Sequence, residues 1–134
     1  MPTEDDFHAT WIARGLSATE PTLMAAVGGA LADRLAWVFL SGYQATLRRG
    51  LPQLPIEPGW SALVNTEGVG DLPGTALTGE PGARRLSGWK TWVAAADHVE
   101  RLIVSAHQNE LPLVVVRRDQ PGVVIEHSRA GGYL

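Results

Sequence analysis

The sequence predicts an α+β protein, with an N-terminal helix or helix pair packed on an antiparallel β-sheet or barrel. Three observations carry this. From Pro21 to Arg49 the apolar positions Leu23, Val27, Leu31, Leu35, Phe39, Tyr43 and Leu47 recur every four residues, the spacing of one helical stripe. "LPQLPIEPG" then places three prolines in nine residues, which no helix accommodates. Beyond it, short β-prone runs alternate with glycine, proline or acidic turns.

Residues 1–20 are polar, with "TEDD" near the start and Phe7, Trp11 and Ile12 as the large apolar groups, and they read equally as a short docked helix or a frayed end. The long helix starts at Pro21 behind Thr19 or Glu20 and stops at Gly50. Gly28-Gly29 marks either a break between two helices or a close contact with a neighbour. The division is therefore a helical segment over 1–50 and a β-domain over 51–134.

The predicted strands run Trp60 to Thr66, Thr75 to Thr78, Arg84 to Leu86, Trp89 to Ala94, Arg101 to His107, Leu111 to Arg117, and Val123 to His127. "LSGWK" reads as a tight hairpin turn at Ser87-Gly88, and "AHQNELP" as a second hairpin joining two apolar strands. Strand alternation in "WKTWVAA" puts Trp89 and Trp92 on opposite faces, one ring entering the core and the other lining a surface or cleft.

A length of 134 residues and an apolar share of 45% fit one domain with a packed core. The net charge of −3, with cations scattered apart from three arginine pairs, argues against nucleic acid. Cysteine is absent, and no apolar stretch is long enough to span a membrane, so a cytoplasmic protein without disulfides is expected. His8, His98, His107 and His127 lack metal-ligand spacing, although His107 and His127 are near enough in the strand order to approach each other. No serine sits in a nucleophile elbow. "NTEGVGDLPG" is a strand running into a glycine-rich loop, which brings backbone amides close to an anionic or planar ligand or simply forms an ordinary turn.

Taken in order, "LADRLAWVFLSGYQATLRRG", "LVNTEGVGD", "RRLSGWKTWVAAA", "ADHVERLIVSA" and "LPLVVVRRDQPGVVIE" resemble the central part of the acyl-CoA dehydrogenase family of flavoproteins. The corresponding family elements are a long helix, a "TEP…GSD"-like loop, a "GxxLNGxKxWITN"-like hairpin, and two following strands. The resemblance covers residues from about 23 to 127 and implies a β-domain resembling that family's middle domain, with FAD lying against it. It implies cofactor contacts at Thr66 and Trp92, with Val93 and Ala94 following in the motif, and Lys90 as scaffold.

Gly68 stands where the family has proline, "VGDLP" lacks the serine, and Ala94 replaces a hydroxyl residue, so FAD is expected to be held weakly or lost. The family's C-terminal helical bundle with its catalytic glutamate has no counterpart. No catalytic residue is therefore assigned and turnover by the chain alone is not expected. The resemblance further implies an acyl-CoA thioester as substrate and either a homodimer or a partner chain supplying the missing helices. The alternative is a non-catalytic binding or assembly module derived from the same family.

Overall fold

Thr3 begins the first helix, α1 (Glu4–Ala13), by accepting from the Asp6 amide, while Asp6 accepts from the Thr3 amide and hydroxyl. These bonds hold the Asp6 carboxyl below its ordinary pKa. The residues of the reciprocal cap stand in "TEDD", and of the two readings of the N-terminal segment the docked helix is the one observed, over Glu4–Ala13 with Phe7 and Trp11 buried. The computed structural model describes residues 1–68, 70–106 and 112–127.

After a short 3-10 turn, Leu16–Ala18, two further helices follow: α2 (Pro21–Leu31) and α3 (Leu35–Gly50). The Glu20 carboxylate caps α2 by accepting from the Thr22 and Leu23 amides, with Pro21 in the first turn, where its missing N–H costs nothing. The break falls at residues 32–34 rather than at Gly28-Gly29. Gly28 is instead the close contact: a Cβ there would lie 2.8 Å from Ser41 Cβ and 2.9 Å from Trp11 Cζ3. It lets α2 and α3 approach across a side chain the width of a hydrogen.

The strands are β1 (Trp60–Val64), β2 (Thr66–Glu67), β3 (Ala76–Thr78), β4 (Arg85–Ser87), β5 (Lys90–Thr91), β6 (Val99–Ser105) and β7 (Leu113–Arg117). They form three sheets, ordered β1-β6-β7, β2-β5 and β3-β4, and none is closed among the described residues. The fold is α+β, but the barrel does not form. The antiparallel expectation also needs correction, because β1 pairs with β6 in parallel while β6 pairs with β7 antiparallel.

The β6–β7 pairing agrees with the second predicted hairpin, whose turn lies outside the described residues. The first hairpin is not formed: β4 pairs with β3, and β5 pairs with β2, so Ser87-Gly88 joins two different sheets. Gly88, at φ 129, passes so near the 74–75 backbone that a Cβ would come within 2.6 Å of Thr75 Cα. The predicted strand over 123–127 is unpaired among the described residues.

The core is an aromatic cluster under the sheet. Phe7 stacks on Trp37 at 5.2 Å between centroids, and Trp11 meets Trp60 edge-on at 5.6 Å, surrounded by Leu16, Met24, Leu40, Ala62, Val64, Leu102 and Val104. A smaller cluster holds Leu47, Ile56 and Ile103. The four-residue stripe does not supply this core evenly: Leu23, Leu35 and Phe39 are half or more exposed, and α3 buries Trp37, Leu40, Ser41, Gln44 and Arg48.

The polar members of that face bond to backbone. Gln44 donates to Ser61 O and accepts from Ser61 N, both at 2.9 Å, and the Tyr43 hydroxyl accepts from Leu63 N at 2.6 Å. Together they satisfy the outer edge of β1 as a neighbouring strand would. The Arg48 guanidinium donates to Ser17 O and to Gly59 O, with Glu57 at 3.3 Å. Burial lowers its pKa from the ordinary value.

Candidate functional site

Thr66 and the lead-in to Trp92 lie on the β2–β5 ribbon. Thr66 lies opposite Thr91 and Glu67 opposite Lys90, and Trp92 follows Thr91 just beyond the ribbon's end. Thr91 also donates its hydroxyl to Glu67 O at 3.0 Å.

The ribbon is fastened to the main sheet by Lys90. Its ammonium pairs with Glu67 Oε1 and donates to Asn65 O and Ser105 Oγ, each at 3.3 Å, while Ser105 donates to Asn65 Oδ1 at 2.6 Å. The Lys90 side chain is 8% exposed, so this is a largely desolvated charge with a matched partner rather than a surface ion pair. Glu67 accepts on its other oxygen from Thr75 N at 3.0 Å, drawing in the glycine-rich loop. The loop is closed by Trp89 N donating to Pro73 O at 3.1 Å. Geometry thus gives Lys90 a structural place, with Asn65 and Ser105 as partners that the sequence reading did not single out.

The strand ends at Thr91 because Trp92 takes the left-handed conformation, φ 60, followed by Ala95 at φ 52. Such angles are uncommon for residues with a Cβ and concentrate where the surrounding structure enforces them. Neither tryptophan enters the core, contrary to the alternation argument: Trp89 is 39% exposed and Trp92 75% exposed. Thr66 is exposed as well, and Val93 and Ala94 are half-buried.

Among the described residues, the amides of Trp92, Val93 and Ala94 and the Thr66 hydroxyl have no hydrogen-bond partner. An exposed indole face, three donors and one hydroxyl are therefore grouped at one end of the ribbon.

Of the histidines, His8 and His98 are brought together by α1 docking, their rings stacked at 4.4 Å, with Asp5 2.9 Å and Glu4 3.8 Å from His98 Nε2. Burial, reinforced by His98, lowers the His8 pKa, and burial raises that of Glu4. Sequence spacing could not show this pair, since 90 positions of chain separate them. His127 bonds Asp97 at 2.9 Å, and its suggested neighbour His107 lies outside the described residues. No group of three or more potential ligands is placed to hold a metal among the described residues. No helix among them is long and apolar enough to cross a membrane.

Comparison with protein-family models, curated proteins and solved structures gives no match for this chain.

Proposed function

We propose that the chain is an acyl-CoA dehydrogenase-like flavin-binding platform of the cytoplasm, with the isoalloxazine ring lying on Trp92 beside Thr66. One observation carries the reading: Trp92 is held outward at φ 60, 75% exposed, at the point where the family motif puts its flavin-contacting tryptophan. The unpartnered amides of Trp92, Val93 and Ala94 would donate to the ring's acceptors, and Lys90 would hold the ribbon that presents them. When bound, the flavin supplies the hydride acceptor.

A general base is the other requirement for dehydrogenating an acyl thioester, and Glu67, the carboxylate on the ribbon itself, is engaged by Lys90 and Thr75. The platform is therefore proposed to bind without turnover when alone, needing a partner chain or second copy to complete a reactive site. The same engagement of Glu67 favours the second reading, a binding or assembly module without chemistry.

Titration of the folded protein with FAD and with FMN, followed by flavin and tryptophan fluorescence, tests the proposal. Saturable quenching that is lost in Trp92→Ala and unaffected by Trp89→Ala is expected. Absence of saturable binding, or equal binding by Trp92→Ala, would remove the flavin reading. Flavin-dependent reduction of an artificial acceptor by acyl-CoA would overturn the claim that the chain is inactive alone.

A further inference from the structure

A groove of about 710 Å³ opens between β6, the end of β7 and the return segment through 125. Its size is that of a small-molecule site. Three guanidiniums, Arg101, Arg117 and Arg118, line it together with two carboxylates, Glu100 and Asp119.

Of these guanidiniums, Arg118 is the most loosely paired. Asp119 is taken by Arg117 through two parallel bonds, Nε to Oδ1 at 2.9 Å and Nη2 to Oδ2 at 2.6 Å. Glu100 accepts from Arg101 at 3.3 Å, and Arg101 also donates to Pro58 O. Among the described residues Arg118 reaches no carboxylate within hydrogen-bond distance: Asp97 is 3.8 Å from Nη2, and His127 already bonds that carboxylate at 2.9 and 3.1 Å. Its Nε is buried without a partner, whereas the side chain as a whole is 38% exposed.

The rest of the lining is apolar. Val99 is buried, Val123 and Ile125 are half-buried, and Val124 stands 75% exposed at the rim. A guanidinium held only by a long ion pair, beside an aliphatic wall, recognises neither a bare inorganic anion nor a neutral apolar molecule best; it recognises the two properties joined.

We propose that this groove binds a small amphipathic anion, a phosphate monoester or carboxylate carrying an aliphatic group, with Arg118 holding the anionic head and Val123, Val124 and Ile125 the tail. This site is separate from the Trp92 surface and does not depend on the flavin reading.

The test is calorimetric titration of the full chain with hexyl phosphate, and with its two halves, inorganic phosphate and hexanol. Hexyl phosphate binds saturably, each half binds at least about ten-fold more weakly, and Arg118→Gln loses about ten-fold or more, as expected for one charge-assisted contact. Val124→Asp, at an exposed position that leaves the core untouched, weakens binding similarly, and Trp92→Ala leaves it unchanged. Unaltered circular dichroism and thermal midpoint establish that each variant is folded. Equal affinity for hexanol, equal affinity in folded Arg118→Gln and Val124→Asp, or no saturable binding by the parent chain would overturn the proposal. Co-sedimentation with phosphatidic-acid vesicles that is lost in Arg118→Gln would assign the head to a lipid. Hexyl phosphate binding without co-sedimentation would assign it to a soluble ester.

Discussion

Replacing Gly28 by alanine should destabilise the protein, although the same change one residue later should stabilise it. Alanine is favoured over glycine in a helix by about 1 kcal/mol, and both residues lie inside α2. At Gly29 a Cβ would meet nothing within 4 Å, so that gain is kept in full. At Gly28 the added methyl would sit 2.5 Å from Ser41 Oγ, 2.8 Å from Ser41 Cβ and 2.9 Å from Trp11 Cζ3.

Neither neighbour has room to give. Ser41 and Trp11 are both fully buried, Ser41 donates to Trp37 O at 2.8 Å, and Trp11 donates to Ser17 Oγ at 3.1 Å. Overpacking of this kind costs about 1–3 kcal/mol, and a contact with three atoms belongs at the upper end. The net loss for Gly28→Ala is then about 2 kcal/mol, which separates the two variants by about 3 kcal/mol. At this chain length that corresponds to roughly 10 °C in thermal midpoint. Urea and thermal denaturation followed by far-ultraviolet circular dichroism provide the measurement. A Gly28→Ala protein as stable as Gly29→Ala would refute the packing of α2 against α3 and Trp11 described above.

Three other outcomes follow from the same contacts. Lys90→Met leaves the Glu67 carboxylate without its main partner in a site where Glu67 keeps 30% of its exposure, and should cost about 2 kcal/mol, below the range for a fully buried pair, by urea denaturation. His8 has a lowered pKa, so the unfolded chain takes up the proton first as pH falls below about 6.5, and stability should decline from pH 7 towards about pH 5.5. Glu4, whose pKa is raised, has the opposite slope nearer its own ordinary value, so His8→Phe should flatten the urea midpoint over the upper interval alone. For the outer strand β7, we propose pairing with a second copy. Sedimentation equilibrium should give the mass of two chains, and Leu113→Lys should weaken association by about 1 kcal/mol by opposing the second copy's Arg117 in a pairing centred on Val115.

Period and proline placement made the change from helix to strand legible in the sequence, and β6 and β7 were legible as apolar runs. What stayed hidden depended on partners distant in the chain. The parallel match of β1 to β6 needs a crossover through β2 to β5 that no local pattern announces. In α3 the apolar count pointed to Leu35 and Phe39, yet the face that is buried carries Ser41, Gln44 and Arg48, because it meets backbone as well as side chains. At the candidate site, strand alternation failed at Trp92. Its left-handed backbone ends the strand and turns the ring outward, a choice made by tertiary context and not by propensity.

Gln44 and Tyr43 close off the β1 side of the main sheet, and this limits the stoichiometry of any assembly built by strand addition. A sheet with two open borders can propagate without end, as fibrils do. Here the main sheet of a chain that joined another through β7 would have only its two β1 borders outermost, each already bonded by its own helix. Growth would terminate at six strands, two copies of the three-stranded sheet, related by a two-fold axis. In such an assembly, a pair of side chains on one helix would set the difference between a particle of defined mass and an open polymer.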